Sequence, residues 1–304
     1  MLAIVTSLRA RSLARDWEYH TWLLERSVHS MLAQTKLDVF VVVVCHDIPK
    51  STLCRNNQVH FLCAKFPVPN RDNDDMCVDK VLKLSAGADW AISQKSDYLM
   101  FSDADDLVSN RIGNLISACS DAPGWYSAAE LFYTYGGILF RVHVVQGTSS
   151  GPCVIVRSDL FEFALPPFTG EWTEVIKRGG EARYLDLLAR HGEKTCLLAA
   201  VGLQNFREYM TCRGQSLRPI PFPANLVINH SDSTSHVAGG IGSYEFVRKR
   251  PRSSLRQVFG SLKRCARLLT TFRPVTAELR HEFSIPRIYE IPRRYRAGGS
   301  LFWR

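Results

Sequence analysis

The stretch that most restricts this chain is "DVFVVVVC" (38–45), a β-branched run that is apolar on both faces. A sheet with one wet face alternates apolar and polar side chains, and this run does not. Such a run suits the centre of a parallel sheet covered by helices on both sides. The sequence around it supplies the rest of that arrangement. "LAIVTS" (2–7) reads as a short buried strand. Leu13, Trp17, Leu24, Val28 and Met31 recur at helical spacing across 12–33. "QVHFLCA" (58–64) is a weaker strand, and "KFPVPNRDNDD" (65–75) a loop marked by Pro67, Pro69 and Asn70. Residues 76–94 read as a helix, "YLMFSD" (98–103) as a strand, and 109–119 as a helix with Ser109 at its N-cap. The first 120 residues thus run strand, helix, strand, strand, helix, strand, helix. That order predicts a doubly wound α/β sheet.

After Pro123–Gly124 the texture changes. Residues 136–160 read as two strands joined by a Gly/Ser turn, and 179–192 as a helix flanked by glycines. Segments 194–210 and 224–231 add strands or short helices, and 230–243 is a polar, glycine-rich loop. In 254–270, Leu255, Val258, Phe259, Leu262, Ala266 and Leu269 line one helical face, with Arg256, Lys263, Arg264 and Arg267 elsewhere around it. A basic amphipathic helix of this kind either lies on an anionic membrane surface or packs on the body with its basic face in water. The expected division is 1–120, 121–245 and a basic C-terminal extension, 246–304.

The net charge of +9 conceals an asymmetry. Residues 248–304 hold fifteen Lys/Arg against three Asp/Glu, which leaves 1–247 at −3. A mildly acidic body with a strongly basic tail points to an anionic partner for the tail. That partner is an anionic membrane surface met by 254–270 or another protein, and no nucleic acid is expected. The nine cysteines are spread out with no C-x-x-C, which fits reduced, buried thiols in a cytosolic protein. No secretory signal is legible, and no apolar run reaches the roughly 18 residues of a membrane span. The expected location is cytoplasmic, with peripheral attachment to the cytoplasmic membrane face.

"YLMFSDADDLVSN" (98–110) drives an apolar strand straight into Asp103, Asp105 and Asp106. Like charges a few ångströms apart repel, and a carboxylate without a partner is costly to bury. Either the cluster sits in water as a turn, or something positive belongs there. In an open α/β sheet, ligands bind beyond the carboxyl ends of the strands. Paired carboxylates there suit a hard divalent cation, Mg2+ or Mn2+. In an extended segment residues 103 and 105 point the same way and can share one site. A cation between them leaves positions open for phosphate oxygens and makes a diphosphate a better leaving group. The plain alternative is a turn in which Ser102 or Asp106 caps the next helix.

Together the element order, "SVHSMLAQT" (27–35) before the second strand, and the D-x-D ending the fourth strand resemble the nucleotide-sugar domain of GT-A glycosyltransferases, family-2-like enzymes in particular. The resemblance is good over 1–120, loose over 121–245 and absent beyond. It implies a GT-A-type doubly wound, mostly parallel sheet. By match, Asp103 meets the sugar-nucleotide side and Asp105 holds Mn2+ or Mg2+. Thr6, Ser7 and Arg9 would line the nucleoside pocket, and Asp47 would contact base or ribose. Lys80 or Lys83 would contact diphosphate, with a surface Asp79–Lys83 ion pair as the plainer role. His46, beside Asp47, reads as an ordinary loop histidine. Relatives carry the acceptor's base in a Glu-Asp pair opening a helix that ends at glycine. Here "GGEARYLDLLARHG" offers Glu181 with a glycine in the pair's first position, and Asp186 is a second candidate. His230 would complete the metal site.

These readings converge on a metal-dependent glycosyltransferase that moves a sugar from a nucleotide-diphosphate sugar to a hydroxyl acceptor such as a glycan or a lipid-linked glycan, with inversion as the family expectation. A sugar nucleotidyltransferase is the runner-up. It usually carries a glycine-rich basic loop after the first strand, and "TSLRARS" has no glycine. A degenerate domain acting as a membrane or protein adaptor is the third reading. A D-x-D phosphatase fits less well, because its nucleophile follows the first strand.

Overall fold

The computed structural model describes residues 1–71, 73–144, 153–161, 207, 210–211, 214–228 and 272–295. The apolar run 38–45 becomes β2 (Val39–Cys45), buried at every position. Parallel to it lie β1 (Leu2–Ser7) on one side and β3 (Val59–Cys63) on the other, and β4 (Tyr98–Phe101) pairs parallel to β1. Alternation then sorts the side chains. Val41, Val43 and Cys45 share a core with α1 (Trp17–Leu32) and α3 (Ile112–Ala118). Val42 and Val44 share another with α2 (Asn73–Ser93). A strand covered on both faces has no use for polar residues, which is why the run is apolar throughout.

Helix α1 starts later than its apolar spacing suggests. Asp16 is its N-cap and accepts from the Tyr19 N–H at 2.9 Å, while Arg11–Leu13 form a separate 3-10 turn. Helix α2 presses on the sheet through Gly87. A Cβ there would lie 2.5 Å from Val5 Cγ1 and 2.9 Å from Val44 Cγ2.

The expectation of one sheet needs correction. The larger sheet has the order β10-β6-β9-β4-β1-β2-β3, where β6 is Gly124–Tyr126, β9 Val154–Arg157 and β10 Arg218–Pro219. Its β9 runs antiparallel to both β4 and β6. A second sheet has the order β12-β8-β7-β11-β5, with β5 Leu107–Val108, β7 Ala129–Tyr133, β8 Leu139–Val144, β11 Asn225–Ile228 and β12 Phe272–Pro274. The two strands expected within 136–160 exist, but they do not pair with each other. Strand β8 joins the second sheet and β9 the first.

The C-terminal segment also departs from a simple extension. Strand β12 pairs antiparallel with β8, and α4 (Ala277–Glu282) follows it. Ser109 Oγ donates to Glu282 Oε1 at 2.6 Å, and Phe283, Ile285 and Ile291 share a core with Leu23 of α1. The proposed membrane helix, 254–270, lies outside the described residues, among which no helix is long and apolar enough to cross a membrane. The thiols are mixed: Cys45 and Cys153 are buried, whereas Cys54 and Cys63 are exposed.

Gly87 yields a prediction with an unusual sign. Replacing a helical glycine by alanine ordinarily gains about 1 kcal/mol. Here the new methyl meets buried valines, and overpacking costs about 1–3 kcal/mol. Chemical denaturation should therefore show Gly87→Ala less stable than the parent. A stabilised variant would contradict the packing of α2 on β1 and β2.

Candidate functional site

The site is built on a polar stripe of α1. Ser27 and Ser30 stand at i and i+3, so they share one face, and Gln34 follows just past the helix's C-cap, Ala33. Ser27 Oγ donates to the carbonyls of Asp106 and, at 3.3 Å, Asp103. Ser30 Oγ donates to Ser27 O at 2.7 Å and accepts from the Val108 N–H at 2.9 Å. Gln34 donates to Ser109 O at 3.1 Å and accepts from the Gly113 N–H at 3.0 Å. The segment after β4 is thus laid along α1 from Asp103 to Gly113. Its backbone groups are buried away from most sheet partners, and an unmade buried hydrogen bond is expensive. The three side chains belong to the quoted "SVHSMLAQT", and this stitching is their physical role.

The three carboxylates are handled in different ways. Asp103 forms an ion pair with Lys80 of α2, and both side chains are partly exposed. Asp106 turns inward and is buried, with Oδ1 accepting from the Ile228 N–H of β11 at 3.2 Å. Burial, then the charges of Asp105 and Asp103, push its carboxyl well above the usual carboxylate range, opposed by the Ile228 N–H. Asp105 is half-buried between them. Burial pulls the Lys80 ammonium down, but Asp103, Asp105 and Asp106 outweigh it and hold its pKa above the ordinary lysine value. On the α1 side, burial and then Asp105 push the Tyr19 hydroxyl up to about 12. Tyr19 packs on Tyr295, with ring centroids 4.5 Å apart, and stacks with Trp22 at 6.1 Å.

Lys83 requires a correction. It is fully buried, and its Nζ donates to Asp79 Oδ2 at 2.7 Å and to Leu8 O at 2.9 Å. The i,i+4 pair exists, but it is internal rather than on the surface. A lysine so committed is not placed to meet a donor's phosphates. His46 is no ordinary loop histidine either, because its Nε2 meets Asp79 Oδ1 at 2.8 Å. Asp79 therefore ties α2 to the residues that follow β1 and β2. Burial lowers the Lys83 pKa below 10.5, with Asp79 opposing.

The loop after β1 is held at three points. Lys83 takes Leu8 O, Asp47 Oδ2 accepts from the Arg11 N–H at 2.9 Å, and Arg71 donates to Ser12 O at 3.1 Å. Ser7 and Arg9 are half-buried beside it. Thr6 is buried, with an Oγ1 that meets no partner, and so is Ser102 Oγ on the adjacent β4 end. Thr6 thus lies beneath the strand end and does not line an open pocket. Glu181, Asp186 and His230 lie outside the described residues.

Among the described residues, no three His, Cys, Asp or Glu side chains converge as a metal-holding group. Asp103 and Asp105 have the donor chemistry for a hard cation, which would take its remaining ligands from phosphate and water. A cleft of about 410 Å³ opens at the opposite, amino end of the sheet, lined by Met1, Tyr98, Ser117 and Arg157 among others. Its acids are already engaged, Asp97 with the N-terminal amine and Asp159 with Arg157.

No protein-family model matches the chain, and no curated protein matches it. Solved structures overlap it in part. Residues 1–349 of S. aureus TarS align over 75% of this chain and 60% of that one, at 10% identity and a TM-score of 0.40. The same TarS fragment in complex with UDP-GlcNAc gives 78% and 60%, at 9% identity and a TM-score of 0.39. A nucleoside-diphosphate-sugar pyrophosphorylase from Vibrio cholerae RC9 gives 76% and 93%, at 12% identity and a TM-score of 0.38. The chain spans about 60% of the TarS fragment.

Two stability measurements check this framework. Ser30→Ala leaves the buried Val108 N–H without its acceptor and should cost about 1–3 kcal/mol, whereas alanine at the exposed His29 should change little. Lys83→Met strands Asp79 and should cost about 3–5 kcal/mol, with part recovered in the Asp79→Asn, Lys83→Met double variant. The pH dependence has a fixed sign. Between the lowered folded pKa of Lys83 and 10.5 the unfolded chain holds the extra proton, so stability from this site rises with pH there. The gap between the parent and Lys83→Met should widen across that window, and a narrowing gap would contradict the burial of Lys83.

Proposed function

We propose that this chain is a glycosyltransferase that moves a sugar from a nucleotide-diphosphate sugar to a hydroxyl acceptor. One observation carries the reading: Asp103 and Asp105 stand just past the carboxyl end of β4, beside β1 in the parallel core, on a segment fixed to α1 and faced by Lys80. That is where open α/β sheets take their ligands. Fixed acids and a neighbouring ammonium suit a diphosphate with its counter-cation.

Asp105 and Asp103 would hold Mn2+ or Mg2+. The ion, when bound, supplies charge neutralisation of the departing diphosphate. Lys80 already sits on Asp103 and is partly exposed, so its ammonium can turn to a phosphate oxygen when the carboxylate is otherwise engaged. The loop after β1, with Ser7, Arg9 and Asp47, would hold the nucleoside. One oxygen of Asp47 is spent on the Arg11 N–H, which fixes the carboxylate for a second contact. Removal of the acceptor proton falls to a carboxylate, with Glu181 the first candidate and Asp186 the second. His230 is the candidate third metal ligand. The family resemblance implies inversion. Surface polysaccharide or glycolipid synthesis fits the basic tail, because both present acceptors near a membrane.

The test is nucleotide release from a panel of UDP- and GDP-sugars, with and without Mn2+, in the presence of acceptor glycans. Asp105→Ala should lower kcat/KM by about 100-fold or more, and Lys80→Ala by about 10- to 100-fold. Release that is unchanged in Asp105→Ala would contradict the proposal.

A further inference from the structure

Strand β12 forms the outer edge of the second sheet, and its pairing with β8 fixes which side chains share a face. Phe272 stands opposite Arg141 and Pro274 opposite Leu139. Alternation puts Leu139 and Arg141 on one side of β8, away from Phe140 and Val142, which pack toward the core shared with α1. The Arg141 guanidinium lies over the Phe132 ring, 4.9 Å from its centroid. Leu139 is 47% exposed, and Ile138, immediately before β8, is 79% exposed. Phe272 is 36% exposed, and Arg273 and Pro274 are also exposed. One side of the edge therefore carries Leu139, Phe272 and Pro274 with Arg141 among them, and Arg273, paired with Phe140, adds an exposed cation on the other side.

We propose that this edge docks on an anionic lipid surface. Scattered exposed apolar residues are ordinary, but adjacent ones at the start of β8 and on its paired strand form a patch that water does not favour. The arginines decide what covers it. Pro274 and Arg273 on the edge strand discourage the addition of another strand, which disfavours a second copy. Cations beside apolar side chains match a surface of anionic headgroups over acyl chains. The sequence leading into β12 continues the pattern, since 248–271 holds eight Lys/Arg and no Asp/Glu. Docking here does not depend on nucleotide-sugar chemistry.

Co-sedimentation of the full chain with vesicles tests this, using phosphatidylcholine mixed with phosphatidylglycerol in equal parts against phosphatidylcholine alone. The chain should sediment with the mixed vesicles only. The Ile138→Asp, Leu139→Asp double variant should partition about tenfold or more weakly, with its melting temperature unchanged. Three results would overturn the assignment: no binding by the parent, equal binding to both vesicles, or binding lost only when Arg256, Lys263, Arg264 and Arg267 are neutralised. A dimer in sedimentation velocity that Leu139→Asp dissolves, without vesicle binding, would replace the lipid by a second copy. A chain that docks on lipid but releases no nucleotide from any sugar donor would overturn the function proposed above and leave this surface standing.

Discussion

The stitching of α1 to the segment after β4 is the constraint on which the rest depends. Ser27, Ser30 and Gln34 give that segment the hydrogen bonds that sheet partners do not supply. Once it is fixed, β5 lies against β11 and starts the second sheet, and Asp106 points inward to the Ile228 N–H. Ser109, at the end of the same segment, anchors α4 through Glu282. One helix and the residues that close it thus set the position of the carboxylates, the start of the second sheet and the docking of the C-terminal segment.

The density of negative charge after β4 is tolerable because the three acids do not share one environment. Asp106 is driven toward its protonated form by burial and by its neighbours. Asp103 has the Lys80 ammonium. A cation entering between Asp103 and Asp105 would compete with Lys80 for Asp103. It is favoured most when a phosphate is present to receive the displaced ammonium. Metal and nucleotide would then support each other's binding without any large movement of the backbone. Beneath them, the buried Asp79 holds Lys83 and His46 and keeps the ends of β1, β2 and α2 in register.

Much of the first half was legible because its signals are local. A short, unbroken β-branched run suits a strand covered on both faces, and the order of elements to residue 120 follows from periodicity and turns. The acids at the end of β4 were legible for the same reason. The polar stripe of α1 carried a readable signal too, since Ser27 and Ser30 at i and i+3 interrupt an otherwise buried face, with Gln34 just past the helix end. What they bind lies far away in sequence and was not legible. Lys83 misled because an aspartate four residues before a lysine looks like a surface pair. Its burial follows from Leu8 and His46, brought to it by other strands. The second sheet escaped notice because its two outer strands, β5 and β12, have two and three residues, too few to show a period.

The most direct measurement is calorimetric titration of the purified chain with UDP and with GDP, in the presence and absence of Mn2+, repeated on Asp105→Ala. The account predicts that one of these nucleotides binds, that its binding needs the metal, and that Asp105→Ala abolishes it while the fold persists. Binding of either nucleotide with equal strength without metal, or undiminished in Asp105→Ala, would contradict the assignment of these carboxylates.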